Sequence, residues 1–156
     1  MPKLYKLYYE QIIKCSLEDT WKFFSNPQNL QKITPEYINF RILSDNLPDE
    51  IYQGLIIEYK VSPLLGIDFF WVTEITAVEN HRYFIDEQRF GPYKFWYHTH
   101  LFQKINNEAT KIIDLVYYLP PYGLIGRLAN SLLIDKKLKN IFNYRKKVIS
   151  DLFLSE

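Results

Sequence analysis

Hydrophobic positions change period twice along the 156-residue chain. Residues 3–14, rich in Tyr, Leu and Ile, read as a first strand. Ser16 then stands where a helix N-cap belongs, with Glu18 and Asp19 in the first turn, where negative charge meets the positive end of the helix dipole. Leu17, Trp21 and Phe24 follow at i, i+4 and i+7 and give a short helix one apolar face. Asn26-Pro27 repeats the start signal for a second short helix, which carries Leu30 and Ile33 and must stop near Thr34-Pro35. Strand patterns then predict elements near 38–44, 51–61, 67–78, 82–90, 93–105 and 109–118. They are broken at Asn46-Leu47-Pro48-Asp49, Ser62-Pro63 to Gly66, Asn80, Gly91-Pro92 and Asn106-Asn107. After Pro120-Pro121 one long helix is predicted over 123–153, with Leu138, Ile141, Phe142, Val148, Ile149 and Leu152 on one stripe.

The predicted order is strand, two short helices, six strands, one long helix, and so an α+β chain. Consecutive strands joined by short turns argue an antiparallel meander. A long helix with one apolar face must lie across that sheet. A curved sheet around one helix leaves space that aromatics fill or a cavity occupies.

Parity sorts the strand side chains, because successive residues face opposite sides. Trp96, His98, His100 and Phe102 share one face of their strand, and Ile112, Asp114, Val116 and Tyr118 share one face of the next. A three-residue turn over Asn106 to Glu108 sets His100 opposite Asp114, His98 opposite Val116 and Trp96 opposite Tyr118. Phe84, Asp86 and Gln88 share a face of the preceding strand. Turned inward together, these strands present Asp86, Gln88, His98, His100 and Asp114 as one polar patch. Arg145 falls on the apolar stripe of the last helix, where it either snorkels to the rim or pairs with Asp86 or Asp114.

Composition narrows the classes. Aromatics make up 17% of the chain, which argues against disorder. Net charge is +1, so nothing general favours nucleic acid. A single cysteine, Cys15, excludes an internal disulfide or a multi-Cys zinc site and fits a reducing cytoplasm. No apolar run reaches the length of a membrane span, and Met1 to Glu10 lacks the pattern of a signal peptide. Residues 122–156 carry seven basic and three acidic side chains. Lys136, Lys137, Lys139, Lys146 and Lys147 make either a solvated helix face or a surface for transient contact with an anionic membrane.

These residues carry a resemblance. The run Ser16-Leu17-Glu18-Asp19-Thr20-Trp21-Lys22-Phe23-Phe24-Ser25-Asn26-Pro27-Gln28-Asn29-Leu30 begins it, and Asp86-Glu87-Gln88, Gly91-Pro92-Tyr93-Lys94 and Trp96-x-His98-x-His100-x-Phe102 continue it. Asp114, Tyr118, Leu119-Pro120, Arg127-Leu128-Ala129-Asn130 and Phe142-Asn143-Tyr144-Arg145 complete it. Over nearly its whole length the chain resembles the START/Bet v 1-like (SRPBCC) superfamily, and within it the bacterial polyketide cyclase/dehydrase-like group. The resemblance implies one helix-grip domain over 1–156, a curved seven-stranded antiparallel sheet wrapped around a long C-terminal helix. It also implies a cavity for a hydrophobic ligand such as a lipid, polyketide or quinone. The superfamily has no single catalytic signature, so no activity carries over.

Three readings follow. In the first the chain is a carrier or sensor. Trp96, Phe102 and Tyr118 touch the apolar body of a ligand, and Asp86, Gln88, His98, His100, Asp114 and Arg145 meet its polar end. In the second it is a cyclase or dehydratase without metal or organic cofactor, with His98, His100 and Asp114 as candidate acid–base groups. In the third it is an interaction module: Phe95, Tyr97 and Leu101 on the outer face suit a homodimer, and the polar interior is structural. Two His at i and i+2 are too loose a signal to assign a metal. Trp71 is expected in the core or cavity wall, and Cys15 as a small hydrophobe.

Overall fold

The computed structural model describes residues 3–64 and 66–154. Strand β1 spans Tyr5–Ile13, with Leu7 and Ile13 buried on its odd face and Tyr8 and Ile12 exposed on the other. Helix α1, Leu17–Phe24, starts as expected: Ser16 Oγ accepts a hydrogen bond from the Asp19 amide at 3.1 Å. Trp21 is buried, and its indole N–H donates to Glu50 Oε1 at 2.9 Å. The second helix is a 3-10 segment, Pro27–Ile33, capped by Asn26 Oδ1 on the Gln28 amide at 2.9 Å.

The strands that follow are β2 (Arg41–Ile42), β3 (Ile56–Leu64), β4 (Ile67–Glu79), β5 (Tyr83–Phe90), β6 (Phe95–Asn106) and β7 (Ala109–Leu119). They form one seven-stranded sheet in the order β1-β7-β6-β5-β4-β3-β2, with every neighbouring pair antiparallel. Register shifts in the β3/β4, β4/β5 and β6/β7 pairs add local bend, and the sheet curls around the last helix.

Several elements differ from expectation. The strand predicted over 38–44 shrinks to Arg41–Ile42. Glu36–Ile38 instead form a 3-10 turn, and Asn39 takes a left-handed conformation at φ 48° that ends it. The strand predicted from 51 begins only at Ile56, because Gly54 at φ 94° turns the chain and its amide bonds Ile75 O across the sheet. The break expected from Ser62-Pro63 to Gly66 includes Leu65, which lies outside the described residues; Leu64 pairs with Ile67.

The C-terminal helix spans the predicted range but is not uniform. Helix α2 (Gly123–Ala129) passes through a π turn (Asn130–Ile134) into helix α3 (Asp135–Leu154). Leu138, Phe142 and Ile149 are buried as expected, but Leu152 is 42% exposed. Phe153, four residues after Ile149, takes the inward place and packs edge-on against Phe23.

On the outer face Phe95 and Tyr97 lie with their rings nearly parallel, Phe95 exposed and Tyr97 and Leu101 half-buried. The core has two buried apolar clusters. One holds Trp21, Ile57, Ile75, Phe84, Phe102 and Ile149; the other holds Leu7, Trp96, Val116, Tyr118, Leu138 and Phe142.

Candidate functional site

Between those clusters lies a polar layer. Along β6, Trp96 belongs to one cluster and Phe102 to the other, with His98 and His100 between them. On β7, Asp114 separates Ile112 from Val116, and on α3, Arg145 separates Phe142 from Ile149. The predicted pairing holds, with His100 opposite Asp114, His98 opposite Val116 and Trp96 opposite Tyr118, and β5 adds Asp86 opposite His98. The turn that produces it is tighter than expected. Asn106 pairs with Ala109, Asn106 Oδ1 accepts from the Glu108 amide at 2.8 Å, and a bulge between Lys104 and Asn106 absorbs the odd residue.

The two histidines and two aspartates form a closed quartet. His98 Nε2 lies 2.9 Å from Asp114 Oδ1, and His100 Nε2 lies 2.6 Å from Asp86 Oδ2. The cross pairs are longer: His100 Nδ1 is 3.2 Å from Asp114 Oδ1, and His98 Nδ1 is 3.4 Å from Asp86 Oδ2. The imidazole centroids are 3.7 Å apart, and His100 stacks on Phe84 at 4.1 Å. Arg145 Nη1 stands 3.9 Å from Asp114 Oδ1, and its guanidinium lies over the Phe142 ring at 5.0 Å. Its Nε is buried with no hydrogen-bond partner among the described residues.

Burial alone would raise both carboxyls. For Asp86, the charge on His98 and the hydrogen bond from His100 outweigh it and lower the pKa. For Asp114, hydrogen bonds from His100 and His98 hold the carboxyl well below the ordinary range. Burial pushes His98 down, reinforced by charge on His100. The same burial acts on His100, but the hydrogen bonds it donates to Asp114 and Asp86 overcome it and raise its pKa. Two carboxylates therefore meet the Arg145 guanidinium and two imidazoles, of which His100 is favoured in its charged form and His98 is disfavoured. Such balance is what lets charged groups remain buried.

A cavity of about 190 Å³ opens against this layer. Asp86, Trp96, His98, His100 and Arg145 line it. Its opposite walls are apolar, from Leu30, Ile33, Phe40, Trp71 and Phe142 among others. Four expected ligand residues do not line it. Asp114 stands behind the histidines, against a smaller cleft beside Gln11 and Lys146. Phe102 packs against Trp21, Phe24 and Phe84. Tyr118 is fully buried against Tyr5 and Tyr93, and burial pushes its hydroxyl up to about 12. Gln88 is held by the Gly91-Pro92 turn, donating to Tyr93 O at 2.6 Å and accepting from its amide at 3.1 Å. Sequence reasoning missed Tyr59 and Thr73, both buried and both lining the cavity. The alternation of Ile57, Tyr59 and Val61, and of Trp71, Thr73 and Ile75, was the available signal.

No family model matches the chain, and no curated protein matches it in sequence. Solved structures do match. ZhuI aromatase/cyclase from Streptomyces sp. R1128 superposes with a TM-score of 0.74 at 12% identity, over 96% of this chain and 93% of that one. A START superfamily protein from Mycobacterium smegmatis gives 0.65 at 10% identity, over 95% and 96%. This is the helix-grip fold of START and Bet v 1-like proteins. Norcoclaurine synthase from Thalictrum flavum, in complex with dopamine and hydroxybenzaldehyde, shares the helix-grip fold at a TM-score of 0.66 and 13% identity, over 99% and 89%. At such identities the likeness is one of fold. In the helix-grip frame the cavity lies between the sheet and the C-terminal helix, and the polar layer forms its inner end.

Proposed function

We propose that the chain binds a small, largely apolar molecule with one polar end, as a carrier or sensor. The observation that carries this reading is the asymmetry of the cavity, with apolar walls and a single ionisable end built from Asp86, His98, His100 and Arg145. Its volume of about 190 Å³ narrows the ligand class. An apolar cavity of about 150 Å³ takes benzene. One or two rings therefore fit inside, as in a quinone or polyketide fragment, and any longer tail must protrude.

Tryptophan fluorescence tests it, because Trp71 and Trp96 both line the cavity. Titration with 2-naphthol should quench emission saturably, and Leu30→Trp, which fills the space, should weaken binding at least tenfold. Equal affinity in both proteins overturns the reading.

The same geometry supports a second reading as a cyclase or dehydratase, in which a histidine moves a proton beside a carbonyl and an aspartate orients it. The aromatase/cyclase and synthase among the structural neighbours favour keeping it. Turnover of a linear poly-β-ketone that survives His98→Asn and His100→Asn together excludes it.

A separate observation favours delivery at a membrane surface. Tyr122, Leu124, Ile125, Leu128 and Leu132 are between 64% and 82% exposed. Arg127 and Lys136, both exposed, lie within and just after this segment. Apolar side chains flanked by cations suit an anionic lipid surface better than a second copy of the chain. Among the described residues no helix is long and apolar enough to cross a membrane.

A further inference from the structure

The geometry points to a divalent metal site held by Asp86, His98 and His100, with Asp114 as its outer support. This assignment deepens the ligand-binding reading of the same cavity and rests on it for its open face. The sequence offered only two histidines at i and i+2. The sheet adds the third ligand, because β5 sets Asp86 directly opposite His98. One ligand atom from each residue lies within 4.8 Å of the other two. Two imidazoles and one carboxylate on one side of an ion, with the remaining positions open, suit zinc or ferrous iron.

The outer partners fit the same arrangement. A metal-binding histidine donates its other N–H to a carboxylate or carbonyl, which fixes ring and tautomer. Asp114 Oδ1 lies 2.9 Å from His98 Nε2 and 3.2 Å from His100 Nδ1. With both those nitrogens donating to Asp114, the free nitrogens are His98 Nδ1 and His100 Nε2, which both face Asp86 Oδ2. The three ligand residues line the cavity and Asp114 does not, so open coordination positions face a bound molecule. Charge agrees: a divalent ion with Asp86, Asp114 and Arg145 leaves one net positive charge, which an anionic oxygen on the ligand neutralises.

The test uses metal-stripped full chain, dialysed against Zn²⁺ or Co²⁺ with metal counted by mass spectrometry. We expect one ion per chain with sub-micromolar affinity. The Co²⁺ form should show visible absorption without a thiolate band, unchanged in Cys15→Ser. His98→Ala and His100→Ala should each lose at least 100-fold in affinity, and Asp114→Asn 10- to 100-fold with stoichiometry kept. If the alanine variants fail to fold, X-ray absorption of the Zn²⁺-loaded wild type decides, with two imidazoles per ion expected. Affinity no tighter than millimolar, fewer than two imidazoles, or binding unchanged in folded His98→Ala overturns the site. Naphthol titration of the metal-free chain is scored separately. Naphthol binding without metal leaves the ligand reading standing alone, and metal binding without naphthol removes only that reading.

Discussion

The polar layer and the segment 122–132 break the ordinary distribution of residues in opposite directions. The layer buries two histidines, two aspartates and an arginine between apolar clusters. The segment exposes five large apolar side chains on the surface. In the layer each carboxylate has two imidazole neighbours, so the charges are mutually compensated. The apolar side chains of the segment have no such internal answer. A buried network that balances itself can be structural and functional at once, and only removing a member separates the two. An exposed apolar row adds nothing to folding, so its effect must be sought in association.

The largest effect is expected from breaking that balance. Asp114→Ala leaves two imidazoles and a guanidinium with one carboxylate in a buried site. Unpairing a buried charge costs about 3–5 kcal/mol, and urea denaturation should show a loss of that size. Asp114→Asn should cost less, because the amide oxygen still accepts one hydrogen bond. Replacing His98 and Asp114 together by Leu and Val should cost less than the two single losses combined, since the pair is removed as a unit.

Acid separates the members further when chelator keeps the site free of metal. Asp86 and Asp114 have lowered folded pKa values, so their stabilisation is present above the unfolded carboxylate pKa and is lost as pH falls through the folded values. His98 is also lowered, so protonating it opposes folding as pH drops below the unfolded histidine value. His100 is raised: its contribution is full below the unfolded value and fades as pH rises through the folded one. Stability should therefore fall on the acid side, steeply below about pH 4, and Asp114→Asn should flatten that limb in denaturation curves recorded from pH 3 to 8.

The two regions also differ in how far the sequence announced them. Period-two alternation placed His98, His100 and Asp114 on one inner face, and a single register assumption paired them correctly. That worked because both flanking strands bury apolar neighbours, so a one-residue slip would expose Trp96, Phe102 and Val116. Gln88 has the right parity too, yet the Gly91 turn holds it, and parity carries no information about which hydrogen bond a side chain finds. The strand predicted over 38–44 is shortened to Arg41–Ile42 because a left-handed Asn39 overrides a local apolar pattern. The π turn at Asn130–Ile134 leaves no periodic trace in five residues. The exposure of Leu124, Ile125, Leu128 and Leu132 escaped notice because composition cannot distinguish an apolar residue facing the core from one facing water.

A middle-sized effect tests how the exposed segment is anchored. A Cβ at Gly126 would collide with the Pro121 carbonyl oxygen, a backbone atom that cannot swing aside. Gly126→Ala must therefore displace the start of α2. Overpacking of this kind costs about 1–3 kcal/mol, visible as a lower denaturation midpoint. The quartet lies on other elements, so the acid limb of the pH profile should keep its shape. A change in that shape would mean that α2 and the polar layer are coupled through the helix.

The smallest effect on stability is expected where the change in behaviour is largest. Leu124→Ser with Leu128→Ser removes apolar side chains that are 78% and 64% exposed. Surface substitutions of this kind usually change stability by no more than about 0.5 kcal/mol, so the denaturation curve should overlay that of the wild type. Co-sedimentation with phosphatidylserine-containing vesicles should nevertheless drop several-fold, while uncharged phosphatidylcholine vesicles show little binding by either protein. Arg127→Gln should lower vesicle binding less and make it less sensitive to salt, because it removes charge and leaves the apolar row intact. If the double serine variant keeps full vesicle binding, the exposed row is not a lipid contact. If instead it dissociates a dimer seen by light scattering in the wild type, the row belongs to self-association, and the contrast between a self-satisfied interior and an unsatisfied surface resolves as an interface between two copies of the chain.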